Sequence, residues 1–288
     1  MKRQYNDLIS TVDIKEASEK SKRILKAYMI LRIIFFAIMI LLILTEYLLK
    51  QLKSPYKNIV SDITFLWTNV YLIFIIVSMT NLNKFFYKCC DVDNAIFVYS
   101  YFVKFHYRKR IIANCFYNIS LNFVYAGRFD DVKKMKALFD KYCFNNKATF
   151  KYELVCAEMA FQKGDLEDLE FHCNNLNSMY YIVKPKKALA TLYKEKLSYI
   201  QILQAEKNGA YLYLYNGINS CIYSANSMAK KVFYNYQLYR FAKAMGDEYM
   251  AKGHRDFVLN YGGTLVYKKI ISDYENGVIK SLLPVNYA

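Results

Sequence analysis

His172-Cys173, with Cys156 and Cys143 upstream, is the grouping closest to a metal site, because imidazole and thiolate are the ligands a tetrahedral zinc takes. No Cys-x-x-Cys or His-x-x-x-His pair sets these residues at chelating spacing, so core or surface positions account for them better and no metal ligand is assigned. The seven cysteines (Cys89, Cys90, Cys115, Cys143, Cys156, Cys173, Cys221) have no repeated pair spacing, and free thiols in a reducing compartment are expected. Cys89-Cys90 could accept an acyl chain beside a membrane. His106 lies in the basic aromatic run Lys104 to Arg110, where each cation near anionic headgroups contributes about 1 kcal/mol; a solvated helix start explains that run equally well. There is no Gly-rich phosphate loop, Gly-x-Ser-x-Gly elbow or His-Glu-x-x-His. No catalytic, cofactor-binding or metal residue is therefore assigned, no cofactor is expected, and the chain is not expected to be an enzyme.

Charge points elsewhere. The formal net charge is +16, which attracts phosphate, but 32 of the 40 basic residues are Lys. Lys is the usual solvated cation, while Arg dominates bidentate phosphate and base recognition. Abundant Lys, Asn, Ile, Tyr and Phe also follow from an AT-rich genome, so no nucleic-acid partner is expected.

Two apolar runs set the architecture. Tyr28 to Leu49 is interrupted only by Arg32 and Glu46, near its two ends, and is long enough to cross a bilayer as a helix. No small-residue cleavage site follows it, which argues for an uncleaved span. Arg32 and Glu46 lie near enough to the headgroups to snorkel. Ile63 to Leu82 contains no ionisable residue except Tyr71 and reads as a second span, with Trp67 and Tyr71 in its interfacial half. Asn69 either bonds across to the first span or sits shallow enough to meet water. The 13 residues from Lys50 to Asp62, with Ser54-Pro55 among them, make a tight external turn. Lys15, Lys20, Lys22, Arg23 and Lys26 before the first span, with Lys84 and Lys88 after the second, place both termini in the cytoplasm. The expected order is a cytoplasmic segment 1–27, spans 28–49 and 63–82 joined by an external loop 50–62, and a cytoplasmic domain 83–288.

That domain reads as helical. Ile112, Phe116, Ile119 and Phe123 share one helical face, and Val132, Met135, Leu138, Phe139 and Tyr142 share another. Tyr211 to Gly217 alternates like a strand, but a helix through Tyr211, Tyr215, Ile218 and Ile222 fits better. Three junctions recur: Gly127-Arg128-Phe129-Asp130-Asp131, Gly164-Asp165-Leu166-Glu167-Asp168 and Gly246-Asp247-Glu248-Tyr249. In each, Gly can close one helix in the left-handed region and acids favour the positive start of the next. Gly262-Gly263 reads as a helix stop.

These helix-turn-helix units resemble the tetratricopeptide repeat. Phe116, Ile119, Phe123, Gly127, Phe129 and Val132 match its pattern in the first unit; Leu238, Ala242, Gly246, Asp247, Tyr249 and Ala251 match in the last. The middle unit keeps Ala157, Gly164 and Asp165. Val132, Leu169 and Tyr239 are bulkier than the family pattern, and the junction glycines lie 37 and 82 residues apart against a family period of about 34, so the repeats are degenerate. The resulting fold class is all-α, a two-helix transmembrane hairpin followed by an α-solenoid of degenerate tetratricopeptide-like helix pairs. The resemblance implies a scaffold that offers a groove to a protein or peptide partner, with Asn118, Asn122, Tyr125 and Arg128 facing it if the first helix of the unit lines it. The alternatives are an accessory subunit of a transport or export complex, or an enzyme acting on envelope precursors.

Overall fold

The computed structural model describes residues 2–15, 18–53, 55–56, 58–70, 73, 88–105, 108–143, 145–225 and 227–282. Among them every regular element is an α-helix. Residues 71, 72 and 74–82 of the second apolar run, and His106, lie outside the described residues. The chain divides into two compact units, one of Ala17–Lys84 and one of Met1–Glu16 with Phe85–Ala288.

The smaller unit contains α2 (Glu19–Gln51) and the helical residues 58–70, here α3. Ser18 caps α2 by accepting from Ser21 N at 3.3 Å, ten residues before the apolar run begins. The helix runs through Lys20, Lys22, Arg23 and Lys26 because Lys and Arg are good helix formers. Its apolar stretch is 6% buried, with a mean hydropathy of 2.7. It is the single helix among the described residues that is long and apolar enough to cross a membrane. Phe35 stacks on Trp67 at 4.7 Å, and the Thr68 hydroxyl lies 3.8 Å from Met39 Sδ, so α2 and α3 pack on each other. Thr45, Thr64 and Thr68 each donate a hydroxyl hydrogen bond to the carbonyl four residues back, which satisfies those groups without water. Asn69 does the same, donating to Phe65 O at 3.0 Å within its own helix and not across to α2.

The larger unit begins with α1 (Lys2–Thr11) and resumes at α4 (Val92–Phe105). Four helix pairs follow: α5 (Lys109–Tyr125) with α6 (Phe129–Cys143), α7 (Asn146–Lys163) with α8 (Leu166–Val183), α9 (Lys187–Lys207) with α10 (Tyr211–Ser224), and α11 (Met228–Ala244) with α12 (Glu248–Tyr261). The last helix is α13 (Val266–Glu275). Each pair turns on one glycine in the left-handed region: Gly127, Gly164 and Gly209 at φ 72° and Gly246 at φ 74°. At each, the residue after Gly donates its N–H five residues back: Arg128 to Phe123, Asp165 to Ala160, Ala210 to Ala205, Asp247 to Ala242. That bond closes the helix and satisfies a carbonyl left free at its end. Gly209 supplies a fourth junction between the second and third read from sequence, so the spacings are 37, 45 and 37 residues. The stripe Ile112, Phe116, Ile119, Phe123 is fully buried, and so are Val132 and Met135.

Successive first helices pack on one another, α5 on α7 and α7 on α9, while α10 packs chiefly on α11. The far end folds back. The Thr264 N–H donates to Cys90 O at 3.0 Å, and Val92 N donates to the Thr264 hydroxyl at 2.9 Å. Tyr267 of α13 then stacks on Tyr236 at 4.5 Å and meets Tyr125 edge-on at 6.4 Å, an aromatic seam joining α5, α11 and α13.

The N-terminal segment is docked on this unit. Leu8 and Val12 are buried, and Asp7 accepts hydrogen bonds from Lys141 Nζ and the Tyr142 hydroxyl at the end of α6. Arg128 donates to Asp13 O at 2.5 Å, and Lys15 pairs with Asp93 at 3.3 Å. Lys141 and then Tyr142 hold the Asp7 carboxyl below the usual aspartate range. A depressed acid contributes stability above its unfolded pKa and loses it as pH falls through the folded value. Amide exchange over residues 2–11 is therefore expected to accelerate, relative to the remaining helices, when pH drops below the usual aspartate range. Asp7→Asn should remove that dependence; equal protection in the wild type at both pH values would refute the contact.

Candidate functional site

The first helices of the four pairs, α5, α7, α9 and α11, line a cavity of about 690 Å³. Tyr117, Leu121, Leu154, Leu192 and Phe233 make its apolar wall. Its floor is charged. Glu158 is 2% exposed and Lys196 4%, and the ammonium donates to the carboxylate across α7 and α9. The other Glu158 oxygen accepts from the Tyr125 hydroxyl and from Gln162 Nε2, both at 3.3 Å. Lys196 Nζ also lies 4.4 Å from the centre of the Tyr199 ring, and the Tyr199 hydroxyl donates to Glu195 at 2.9 Å. Glu195 in turn pairs with Lys230 of α11 at 3.4 Å. Three helices are thus tied by alternating charges, each buried charge meeting an opposite one.

Burial, and next the Glu158 charge, pushes the Tyr125 and Tyr199 hydroxyls well above the usual phenol range, so both remain donors. For Glu195, burial pushes upward but Lys196, Lys230 and the Tyr199 hydroxyl outweigh it and hold the carboxyl below its usual value. The group links carboxylates, ammonium groups and phenol hydroxyls in one chain of hydrogen bonds and ion pairs.

A second cavity of about 640 Å³ adjoins the first, sharing Tyr117 and Ala188. It is lined by Lys109, Arg110, Lys147, Lys151, Lys184 and Lys186, and among the described residues no carboxylate lines it. Lys151 donates to the Asn114 carboxamide oxygen. Burial, and then the Arg110 charge, lowers the Lys151 pKa. A third cavity, of about 780 Å³, is lined by charges of both signs, among them the pairs of Arg128 and Lys134 with Asp131 and of Lys15 with Asp93.

Neither a protein-family model, nor a curated protein, nor a solved structure matches this chain significantly. Its own geometry carries the functional reading.

Of the four residues expected to face a groove, Asn118 lines the basic cavity and Tyr125 the aromatic one. Asn122 is buried and donates to Asn118 O at 2.7 Å within α5. Arg128 is bound to Asp131 and Asp13 and lies 4.6 Å above the Phe123 ring, where it anchors the N-terminal segment. His172 is held between Glu153, 2.7 Å from Nδ1, and Asp168, 3.4 Å from Nε2. His254 lies 2.8 Å from the Tyr215 hydroxyl and 2.9 Å from Asn235 Oδ1, and burial lowers its pKa. Burial pushes the thiols of Cys90, Cys115 and Cys156 up to about 12 and those of Cys143 and Cys173 up to about 11, so these sulfurs stay protonated and poorly nucleophilic. Glu158, Lys196 and the basic cavity were not found from sequence. A signal was present for the basic cavity: three helix starts that carry Lys or Arg where acids are favoured.

Proposed function

We propose that this chain is a membrane-anchored scaffold of degenerate tetratricopeptide-like helix pairs that holds a protein or peptide partner at the cytoplasmic face. The carrying observation is the aromatic cavity across the first helices of all four pairs, whose floor is fixed by the buried Glu158–Lys196 pair. A floor tied by charge and walls of tyrosine, leucine and phenylalanine make a rigid apolar surface with polar groups at set places, the composition of a recognition site. Four glycine-closed junctions at 37, 45 and 37 residues support the repeat reading.

Two spans are supported by connectivity. The segments on either side of residues 17–84 belong to one folded unit, so both ends of that insertion lie in one compartment. An insertion with both ends on one side crosses a membrane an even number of times. With α2 as one span, the apolar run 63–82 is the natural second. A reporter inserted after Lys53 is expected outside and one at the C-terminus inside; both on the same side would sink the hairpin. For the scaffold, Leu121→Arg and Phe233→Ala should abolish a partner crosslink made through the cavity while membrane retention is unchanged. A crosslink that survives both and is lost only on replacing residues 17–84 would assign partner binding to the hairpin.

A further inference from the structure

The basic cavity is electrostatically incomplete. Among the described residues, none of Lys109, Arg110, Lys147, Lys151, Lys184 and Lys186 is ion-paired with a carboxylate, although the same chain pairs lysines readily on α6. The helix starts add to the excess. Second helices α6, α8 and α12 carry Asp130 and Asp131, Glu167 and Asp168, and Glu248 in their first turns, whereas α5, α7 and α9 carry no acid there. α5 and α9 also lack a side-chain cap, so their free N–H groups and positive dipole ends add to the field of the lysines. One wall is strained as well: Lys184 sits at φ 45°, ψ 66° directly before Pro185, a conformation that favours glycine and is disfavoured before proline.

We propose that this cavity binds a ligand carrying two or more phosphate groups. Its volume of about 640 Å³ is that of a small-ligand pocket. Five of the six cations are Lys, which acts on phosphate as a point charge. A phosphate ester brings roughly −1.5 to −2 charges per group, so a few of them balance the six cations in a volume that an acidic peptide, with one charge per residue, does not match. Uncapped helix N-termini suit phosphate oxygens. This inference does not depend on the scaffold reading.

The test uses the full chain in detergent micelles and tripolyphosphate as probe, followed by calorimetry. One tripolyphosphate is expected to bind per chain, more weakly at higher salt. Lys184→Gly and the pair Lys147→Gln/Lys186→Gln should each weaken it about tenfold, which corresponds to about 1.4 kcal/mol. Lys252→Gln, an exposed lysine of α12, should leave it unchanged. Lys184→Gly keeps the fold, because glycine suits the left-handed wall, and unaltered helicity by circular dichroism checks this. ATP, and phosphatidylcholine vesicles containing phosphatidylinositol bisphosphate, are run in parallel. Competition by ATP assigns the site to a soluble phosphorylated ligand, and competition by the vesicles assigns it to a headgroup. Non-saturable binding, indifference to both sets of substitutions, or equal affinity for hexaglutamate overturns the proposal.

Discussion

Lys196→Met is expected to destabilise the larger unit by about 3–5 kcal/mol, the usual cost of leaving one member of a buried ion pair without its partner. Met fills nearly the same space, so packing is kept and charge alone is removed. Glu158 then retains only the Tyr125 hydroxyl and the Gln162 carboxamide, two neutral donors at 3.3 Å, for a carboxylate 2% exposed. Tyr199 loses its cation as well. The double variant Glu158→Leu/Lys196→Met should recover most of the loss, because the desolvation cost of both charges disappears together. Urea unfolding followed by circular dichroism measures both. A single variant within about 1 kcal/mol of wild type would mean that water reaches the pair and that the cavity floor is not rigid.

The same pair shows where sequence reading stops. Glu158 and Lys196 are 38 residues apart, on different helices, and each looks like any solvated helical charge. What could be read was local. Burial of Ile112, Phe116, Ile119 and Phe123 follows from a period fixed by helix geometry, and the glycine junctions follow from backbone sterics within six residues. Tyr211–Ser224 is a helix despite its alternating start, which agrees with the helical stripe. Gly209 carries no such local signal. It closes α9 with the same bonds as the other three, but Ala210 follows it and no acid stands in the first turn of α10. Gly followed by acids marks only the junctions whose next helix also starts with acids. The docking of α1 on α6 was invisible for the same reason as the ion pair, since Asp7 and Lys141 are 134 residues apart. The basic cavity lies between these cases: each lysine-bearing helix start is visible alone, but their convergence needs the packing of α5, α7 and α9.

Gly263→Ala should detach the last helix from the start of α4, at a cost of about 3 kcal/mol or more. Two independent penalties coincide there. Gly263 sits at φ 54°, where a side chain is strained, and an added Cβ would lie 2.5 Å from Cys90 O and 2.8 Å from Cys89 O. Both contacts are with backbone, so no side-chain rotation relieves them. Yielding would break the Thr264 N–H bond to Cys90 O and deprive Val92 N of its hydroxyl acceptor. Tyr267 would then leave the seam with Tyr236 and Tyr125, loosening α5 beside the aromatic cavity. Gly277→Ala is the matched control. Its φ is 71°, but nothing lies within 4 Å of an added Cβ, so it should cost only the backbone strain, about 1 kcal/mol. Accelerated amide exchange across residues 92–105 and 266–275 in the first variant, and not in the second, would identify the return of α13 as what closes the helical array. Equal stability of the two variants would show that the ends are held by the aromatic seam alone.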